Sequence, residues 1–258
     1  MSNVIVKAKY GTCIVNDQDQ YVGRAVIEYG EFSESEVDLF KQIIKPGMTV
    51  VDVGANYGIH TLVYAKIVGN EGQVYAFEPQ RQVFNALCGT LALNNISNVI
   101  PICAAVGTGS IVKYSYLDYS EFQNVGAYSF CDVTEGEDLP TVPLIVPCHF
   151  LKIDVEGMEL EVLKGAERMI RACKPIMYIE ADRPAKNEEM FAFIRDLGYE
   201  IYWHAASFVN PNNFFENPVD LFPGIASINV LCVPKETKVE GMEIAFASEW
   251  HNKFVTQN

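Results

Sequence analysis

Basic side chains are scarce in this sequence: 19 Lys and Arg stand against 33 Asp and Glu in 258 residues, a formal net charge of −14. A protein that grips a phosphate backbone does so through clustered cations that release counterions, so the deficit argues against a nucleic-acid partner. Long apolar runs are missing too. No stretch approaches the roughly twenty residues that span a bilayer, and residues 1–10 lack the apolar core and small-residue cleavage site of a secretory signal. The chain therefore reads as soluble and cytoplasmic, with no membrane partner. Its 7 cysteines (Cys13, Cys88, Cys103, Cys131, Cys148, Cys173 and Cys232) are scattered, odd in number and never spaced as C-x-x-C. Reduced, mostly buried thiols are expected, not disulfides or zinc ligands. Repeats, low-complexity tracts and Pro/Ser-rich linkers are also absent, so no strong domain boundary shows, and nothing in the sequence signals an oligomeric state.

What is present is a globular composition, 49% hydrophobic and 20% charged, sufficient for one large domain with its own core. Residues 4–15 and 21–29 are rich in Val, Ile and Tyr around the polar turn Asn16-Asp17-Gln18-Asp19. This predicts a β-hairpin flap at residues 1–32, ahead of a main domain at residues 33–258. Ser33 followed by Glu36 has the spacing of a capping box and announces a helix with apolar positions Val37, Phe40, Ile43 and Ile44, ended by Lys45-Pro46-Gly47. Beyond it, short β-branched runs at 49–53, 74–77, 99–103, 150–153, 176–179, 200–203 and 228–233 alternate with amphipathic stretches at 59–67, 80–93, 158–171 and 187–197. Nearly continuous apolar strands separated by helices are what a parallel sheet covered on both faces requires, so the fold class is α/β, doubly wound. Residues 104–148 break this rhythm with tyrosines (Tyr114, Tyr116, Tyr119, Tyr128) and prolines (Pro140, Pro143, Pro147), and read as an insertion facing a substrate.

Residues 50–61 read VVDVGANYGIHT, a buried strand carrying Asp52 near its end, then a turn with Gly54, Asn56 and Gly58 before a helix. In open α/β sheets ligands sit beyond the carboxyl ends of the strands, where a glycine turn lets backbone N–H groups approach them. The dinucleotide fingerprint G-x-G-x-x-G is not matched, because Asn56 stands where its second glycine would admit a pyrophosphate. An acid at the strand end repels a pyrophosphate and suits an ammonium group. The next strand ends in YAFEP and places Glu78 twenty residues after Gly58, where a carboxylate can accept both hydroxyls of a ribose. Two acidic strand ends without a phosphate requirement point to S-adenosyl-L-methionine. Each half has a plainer reading, the glycines as a tight turn and Glu78-Pro79 as a helix start.

Residues 149–167 read HFLKIDVEGMELEVLKGAE. Together with SESEVDLFKQIIKPG at 33–47, the glycine loop and YAFEP, this element strongly resembles the FkbM family of S-adenosylmethionine-dependent methyltransferases, from about Glu31 to about Pro234. The resemblance implies a Rossmann-like sheet of seven strands with an antiparallel last pair, and methylation of a hydroxyl oxygen on a sugar, glycan or polyketide-like small molecule. Carried over by position, it assigns Asp52, Gly54, Ala55, Asn56, Gly58 and Thr61 to the cofactor loop, and Glu78 with Pro79 to the ribose. Lys152, Asp154, Glu156 and Gly157 fall to the strand end facing the methyl group. Asn124 begins a segment where many relatives have Asn-aromatic-Gly; Val125 replaces the aromatic residue here.

Lys152 and Asp154, two apart on a strand, point to the same side. Methyl transfer is an in-line displacement, so alignment matters more than acid–base strength. The acceptor still sheds a proton, for which Asp154, Glu156 and His149 are candidate bases, Asp154 first and His149 last because it precedes the strand; Lys152 can stabilise an alkoxide. A divalent metal is a further option, with Asp154, Glu156, Glu180 and Asp182 as oxygen ligands, though no ligand spacing establishes it. A structural ion pair of Lys152 with Asp154 is the plain alternative. His60 is expected to pack beside the cofactor loop. Candidate acceptor contacts are Asn124, Tyr128, Glu180 and Trp203, and the aromatic and amide segment 203–222, with Asn210, Asn213 and Asn217, suits a polyhydroxylated ligand. Two other functions stay open on the same architecture: an NAD(P)-dependent oxidoreductase and a non-catalytic cofactor-binding protein.

Overall fold

The protein was analysed as a computed structural model that describes residues 2–115, 118, 124, 133, 135–237 and 239–254. Its first strands, β1 (Asn3–Ala8) and β2 (Gly11–Asn16), pair antiparallel from Ala8↔Gly11 to Asn3↔Asn16. The hairpin therefore turns at Lys9-Tyr10, inside the first apolar run, and not at residues 16–19. The second run is a helix, α1 (Val22–Tyr29), because Val22, Ala25, Val26 and Tyr29 recur at helical spacing and are all buried. Asp19 accepts the amide N–H groups of Tyr21 (3.1 Å) and Gly23 (3.0 Å) and so starts it. The next helix, α2 (Glu34–Ile43), forms where expected, yet without the capping box: Ser33 sits at φ 48° and its side chain makes no cap. Glu36 is taken up elsewhere, as described below.

The alternation that follows matches the sequence reading within a few residues: β3 (Thr49–Val53), α3 (Ile59–Val68), β4 (Gln73–Phe77), α4 (Arg81–Leu93) and β5 (Val99–Ile102). A two-stranded ribbon of β6 (Ile111–Tyr114) and β7 (Glu137–Pro140) brackets the insertion. Then come β8 (Phe150–Ile153), α5 (Glu159–Cys173), β9 (Ile176–Glu180), α6 (Pro184–Asp196), β10 (Tyr199–Ser207), β11 (Ala226–Pro234) and a short terminal helix α7 (Trp250–Phe254). Seven strands form one sheet in the order β10-β11-β9-β8-β3-β4-β5, parallel except for β11, which pairs antiparallel with both β9 and β10. The chain leaves β3 toward β4 and β5, then returns to β8 on the other side of β3. That reversal opens a crevice at the strands' carboxyl ends.

Alternation along the strands divides the core into two layers. Val50, Phe150, Tyr178 and Tyr202 pack with Phe40 of α2 and Tyr64 of α3, while Val51, Leu151, Met177 and Trp203 pack with Val162 of α5 and Phe191 of α6. The N-terminal hairpin shares the first layer, to which Cys13 and Val15 belong. Asn94, just after α4, holds it there: its side chain accepts from the Thr12 amide (2.9 Å) and donates to the Thr12 carbonyl (2.7 Å). Of the six described cysteines, all free thiols, Cys13, Cys148 and Cys232 are buried. No helix among the described residues is long and apolar enough to cross a membrane.

Replacing Asn94 with Ala should loosen the hairpin alone, at a cost of about 1–3 kcal/mol for the unpaired backbone groups. Hydrogen exchange should accelerate at residues 3–16 while the β3–β4 ladder keeps its protection; uniform acceleration across the sheet would show that the hairpin is not separately tied.

Candidate active site

The glycine turn after β3 is shaped by two hydrogen bonds, from the Gly54 and Ala55 amides to the Phe77 carbonyl, both 3.0 Å. Gly54 adopts φ +86°, and a Cβ there would lie 1.8 Å from the backbone oxygen of Asp154. Only glycine lets β3 and β8 end this close together. Asn56 follows at φ 49° and donates its backbone N–H to Glu78 (2.9 Å), whose other oxygen accepts from the Gln80 amide (2.8 Å). Glu78 is thus both helix start and cavity wall, and burial pushes its pKa up to about 7 against the two backbone donors. Gly54, Ala55, Asn56, Glu78 and Pro79 line one cavity of about 320 Å³ together with Lys152, Asp154, Glu156, Glu180 and Asn124. Two sequence-named loop residues stand elsewhere: Gly58 begins α3 at φ +84° against Leu87, and Thr61 donates to Asp52 (2.7 Å).

Asp52 does not line this cavity. It is fully buried and is the register partner of Lys152 across β3 and β8, so its carboxylate stands behind the cavity wall with that ammonium at 3.8 Å. Lys152 also meets Asp154 at 3.0 Å and donates to the Gly54 carbonyl at 3.3 Å. Burial disfavours the charged ammonium, but Asp154, Asp52 and Glu36 outweigh it and hold the pKa above the usual lysine value. The same-side placement of Lys152 and Asp154 read from the sequence is therefore present, as an ion pair at the cavity wall. Glu156, at φ 55°, pairs with Arg183 at 2.8 Å; burial and the Asp154 charge push its pKa up to about 8. His149 lies at the far end of the sheet, accepting from the Thr49 amide at 2.9 Å.

The most consequential residue that sequence reasoning missed is Glu36. Its Oε1 accepts from the Tyr178 hydroxyl (3.1 Å) and the Asn229 amide (2.8 Å), and its Oε2 lies 3.6 Å from Nε2 of His60. Burial pushes Glu36 up to about 7, with Lys152 opposing and Asp154 reinforcing. Burial drives His60 down to about 3, so the imidazole is neutral, and it is held by a hydrogen bond to the Phe32 backbone. Both line the cavity, beside an aromatic wall in which Phe208 meets Tyr21 and Phe32 edge-on at 6.3 and 5.1 Å. Glu36 was legible only as a helix-start acid; its partners come from β9 and β11, nearly two hundred residues away in the case of Asn229.

The acceptor contacts named from sequence divide. Asn124 and Glu180 face the cavity, and Tyr128 lies outside the described residues. Trp203 is on the wrong face: strand parity sends it into the α6 layer, against Phe191 at 5.4 Å and Phe254 at 5.1 Å. Three amides of segment 203–222 are bonded within the protein, Asn210 to Glu31 (2.7 Å), Asn213 to the Asn217 carbonyl (2.7 Å) and Asn217 to the Glu28 carbonyl (3.2 Å), while Asn212 is exposed. Phe208 is the residue of that segment that reaches the cavity.

A mostly parallel sheet, a glycine turn without side chains and an acidic strand end converging on one cavity define an α/β protein of the nucleoside-cofactor-binding class. The Methyltransferase FkbM domain matches residues 52–201, more than half of the chain, and the chain belongs to that family. Among curated proteins, the ribosomal RNA large subunit methyltransferase E of Buchnera aphidicola subsp. Cinara cedri (strain Cc) is 22% identical over 130 residues, covering 46% of this chain. The match spans 57% of that relative's length. Among solved structures, Trm5b from Pyrococcus abyssi superposes with a TM-score of 0.51 at 13% identity, over 95% of this chain and 57% of its own, and shares the fold. Methyltransferase FkbM from Methylobacillus flagellatus KT gives a TM-score of 0.48 at 18% identity, over 84% of this chain and 55% of its own.

Glu36 holds its proton in the folded chain up to about pH 7, against the ordinary 4.5. The folded state therefore binds more protons than the unfolded one in that window, and stability falls as pH rises through it. Glu36→Gln keeps the shape without the charge and turns an amide N–H toward His60. It should raise the melting temperature near pH 8 and flatten the pH dependence, by up to about 3 kcal/mol; a variant less stable than the parent at that pH would refute the burial account.

Proposed function

We propose that this chain is an S-adenosylmethionine-dependent O-methyltransferase acting on a hydroxyl of a small polyhydroxylated molecule, such as a sugar, a glycan or a polyketide-like product. The observation that carries the reading is the shared cavity, lined by the bare backbone of Gly54, the Glu78 carboxylate and the Glu36–His60 pair. The residues fit the cofactor. Gly54 leaves a cradle that a Cβ would fill, and Glu78 keeps acceptor capacity for a ribose diol. Gln80 presents a buried amide whose two polar atoms have no partner among the described residues. When bound, S-adenosylmethionine supplies a methyl group on a cationic sulfur that an oxygen nucleophile displaces in line.

The remaining work falls to the chain. Phe208, Tyr21 and Phe32 offer ring faces to a sugar-like acceptor and exclude water. Lys152 ties up Asp154 in an ion pair. Glu36, whose pKa of about 7 suits proton transfer near neutrality, is the better placed carboxylate to take the acceptor's proton, with Tyr178 and Asn229 holding it in position. The names of relatives that act on ribosomal RNA do not transfer readily to a chain of net charge −14, which lacks the cations an RNA backbone demands. A small acceptor suits the cavity of about 320 Å³.

Calorimetry with S-adenosylhomocysteine should show one site per chain, weakened roughly a hundredfold or more by Glu78→Ala as a buried charge-assisted contact is lost. Turnover with a panel of sugars and natural-product alcohols should then release S-adenosylhomocysteine. Folded protein that ignores S-adenosylhomocysteine but quenches with NADH would replace this reading with a nicotinamide oxidoreductase.

A further inference from the structure

At the β8 and β9 ends the carboxyl groups of Asp154, Glu156, Glu180 and Asp182 line the cavity beside a single cationic side chain, Lys152. The two strands run abreast, Ile153 paired with Ile179, so the residues that follow emerge side by side. Asp154, Glu156 and Glu180 each bring a carboxylate oxygen within 4.8 Å of the others. Oxygens on opposite sides of a hard divalent cation lie about 4–5 Å apart, so the three fit around one ion.

A cluster of acids alone would prove little, since such groups also occur without ions. Glu180 adds the decisive feature. It is 8% exposed, and its Oε2 has no hydrogen-bond partner among the described residues. Asp154 has Lys152 at 3.0 Å and Glu156 has Arg183 at 2.8 Å; Glu180 feels the Arg183 charge but makes no ion pair within 4.0 Å among the described residues. An ionised carboxylate only accepts hydrogen bonds, so three of them facing one another need a shared positive centre or added protons. Lys152 reaches one member of the group, Asp154 at 3.0 Å, while its other contacts are with Asp52 and the Gly54 carbonyl on β3, so it does not bridge all three. The donor set is all oxygen, without His or Cys, which selects Mg²⁺, Mn²⁺ or Ca²⁺ over zinc or copper.

We infer that Asp154, Glu156 and Glu180 form a binding site for one hard divalent cation in the wall of the cavity. Its free coordination positions open onto the cavity and would take oxygens of the acceptor; that second role rests on the methyl-transfer reading, whereas ion binding does not. The site would favour acceptors with two neighbouring oxygens, since a hard cation chelates such pairs.

Mn²⁺ is the probe, followed by the loss of its free-ion electron paramagnetic resonance signal on titration with the whole chain, with Mg²⁺ as competitor. One Mn²⁺ per chain is expected, displaced by Mg²⁺ and weakened about tenfold or more in Glu180→Gln. Glu156→Gln should act in the same direction and covers the case in which the first variant fails to fold, which circular dichroism would reveal. Exposed Glu189, outside the cluster, should be replaceable by Gln without effect. Free Mn²⁺ throughout the wild-type titration, or equal binding by folded Glu180→Gln and wild type, overturns the inference. S-adenosylhomocysteine calorimetry on the same samples separates the two readings: its binding without Mn²⁺ binding removes the cation site only, and Mn²⁺ binding without it removes the cofactor reading only.

Discussion

The ammonium of Lys152 lies buried between Asp52 at 3.8 Å and Asp154 at 3.0 Å, with Glu36 close enough to add to its field, and the site is organised around that single charge. Removing that ammonium costs about 3–5 kcal/mol, because the buried acids around it are left without compensation. Asp52, behind the cavity wall and anchored by Thr61, fixes the ammonium to β3. The Gly54 carbonyl, 3.3 Å from the same nitrogen, ties the glycine turn to β8. One cation thus holds together the two strand ends between which the crevice opens.

Around it the chain keeps acids in a poorly solvated cavity wall. Glu36 and Glu78 are both pushed up to about 7, and Glu156 to about 8, by burial. A fold selected for stability alone would not retain so many carboxylates in a poorly solvated wall, and groups shifted this far concentrate where chemistry or ligand binding requires them. In the proposed reading the Gly54 backbone and Glu78 would meet the nucleoside, and Glu36, neutral His60 and the rings of Phe208, Tyr21 and Phe32 would meet the hydroxylated acceptor.

The core of the fold was legible because its signals are local. Five-residue β-branched runs and helices with one apolar face appear within a few residues of their expected limits, since periodicity depends on neighbours along the chain. The N-terminal segment misled for the same reason: Val, Ile and Tyr at 21–29 read as strand, yet Val22, Ala25, Val26 and Tyr29 also fit a helix, and packing chose it. The capping box at Ser33 does not form: Ser33 sits at φ 48° without a side-chain cap, and Glu36 is held by Tyr178 and Asn229 instead.

What the sequence determined by itself was the order of the elements from β3 to β5 and from β8 to β11, the glycine turn after β3, the acidic end of β4 and the same-side placement of Lys152 and Asp154, all of which follow from spacing along the chain. Tertiary structure decided the rest. Register across β3 and β8 withdrew Asp52 from the cavity, and strand parity sent Trp203 to the opposite layer. The return of β9 and β11 beside α2 made a helix-start acid into a buried, held carboxylate. Contacts between segments far apart in the chain leave no periodic trace in either, so only the folded arrangement could disclose them.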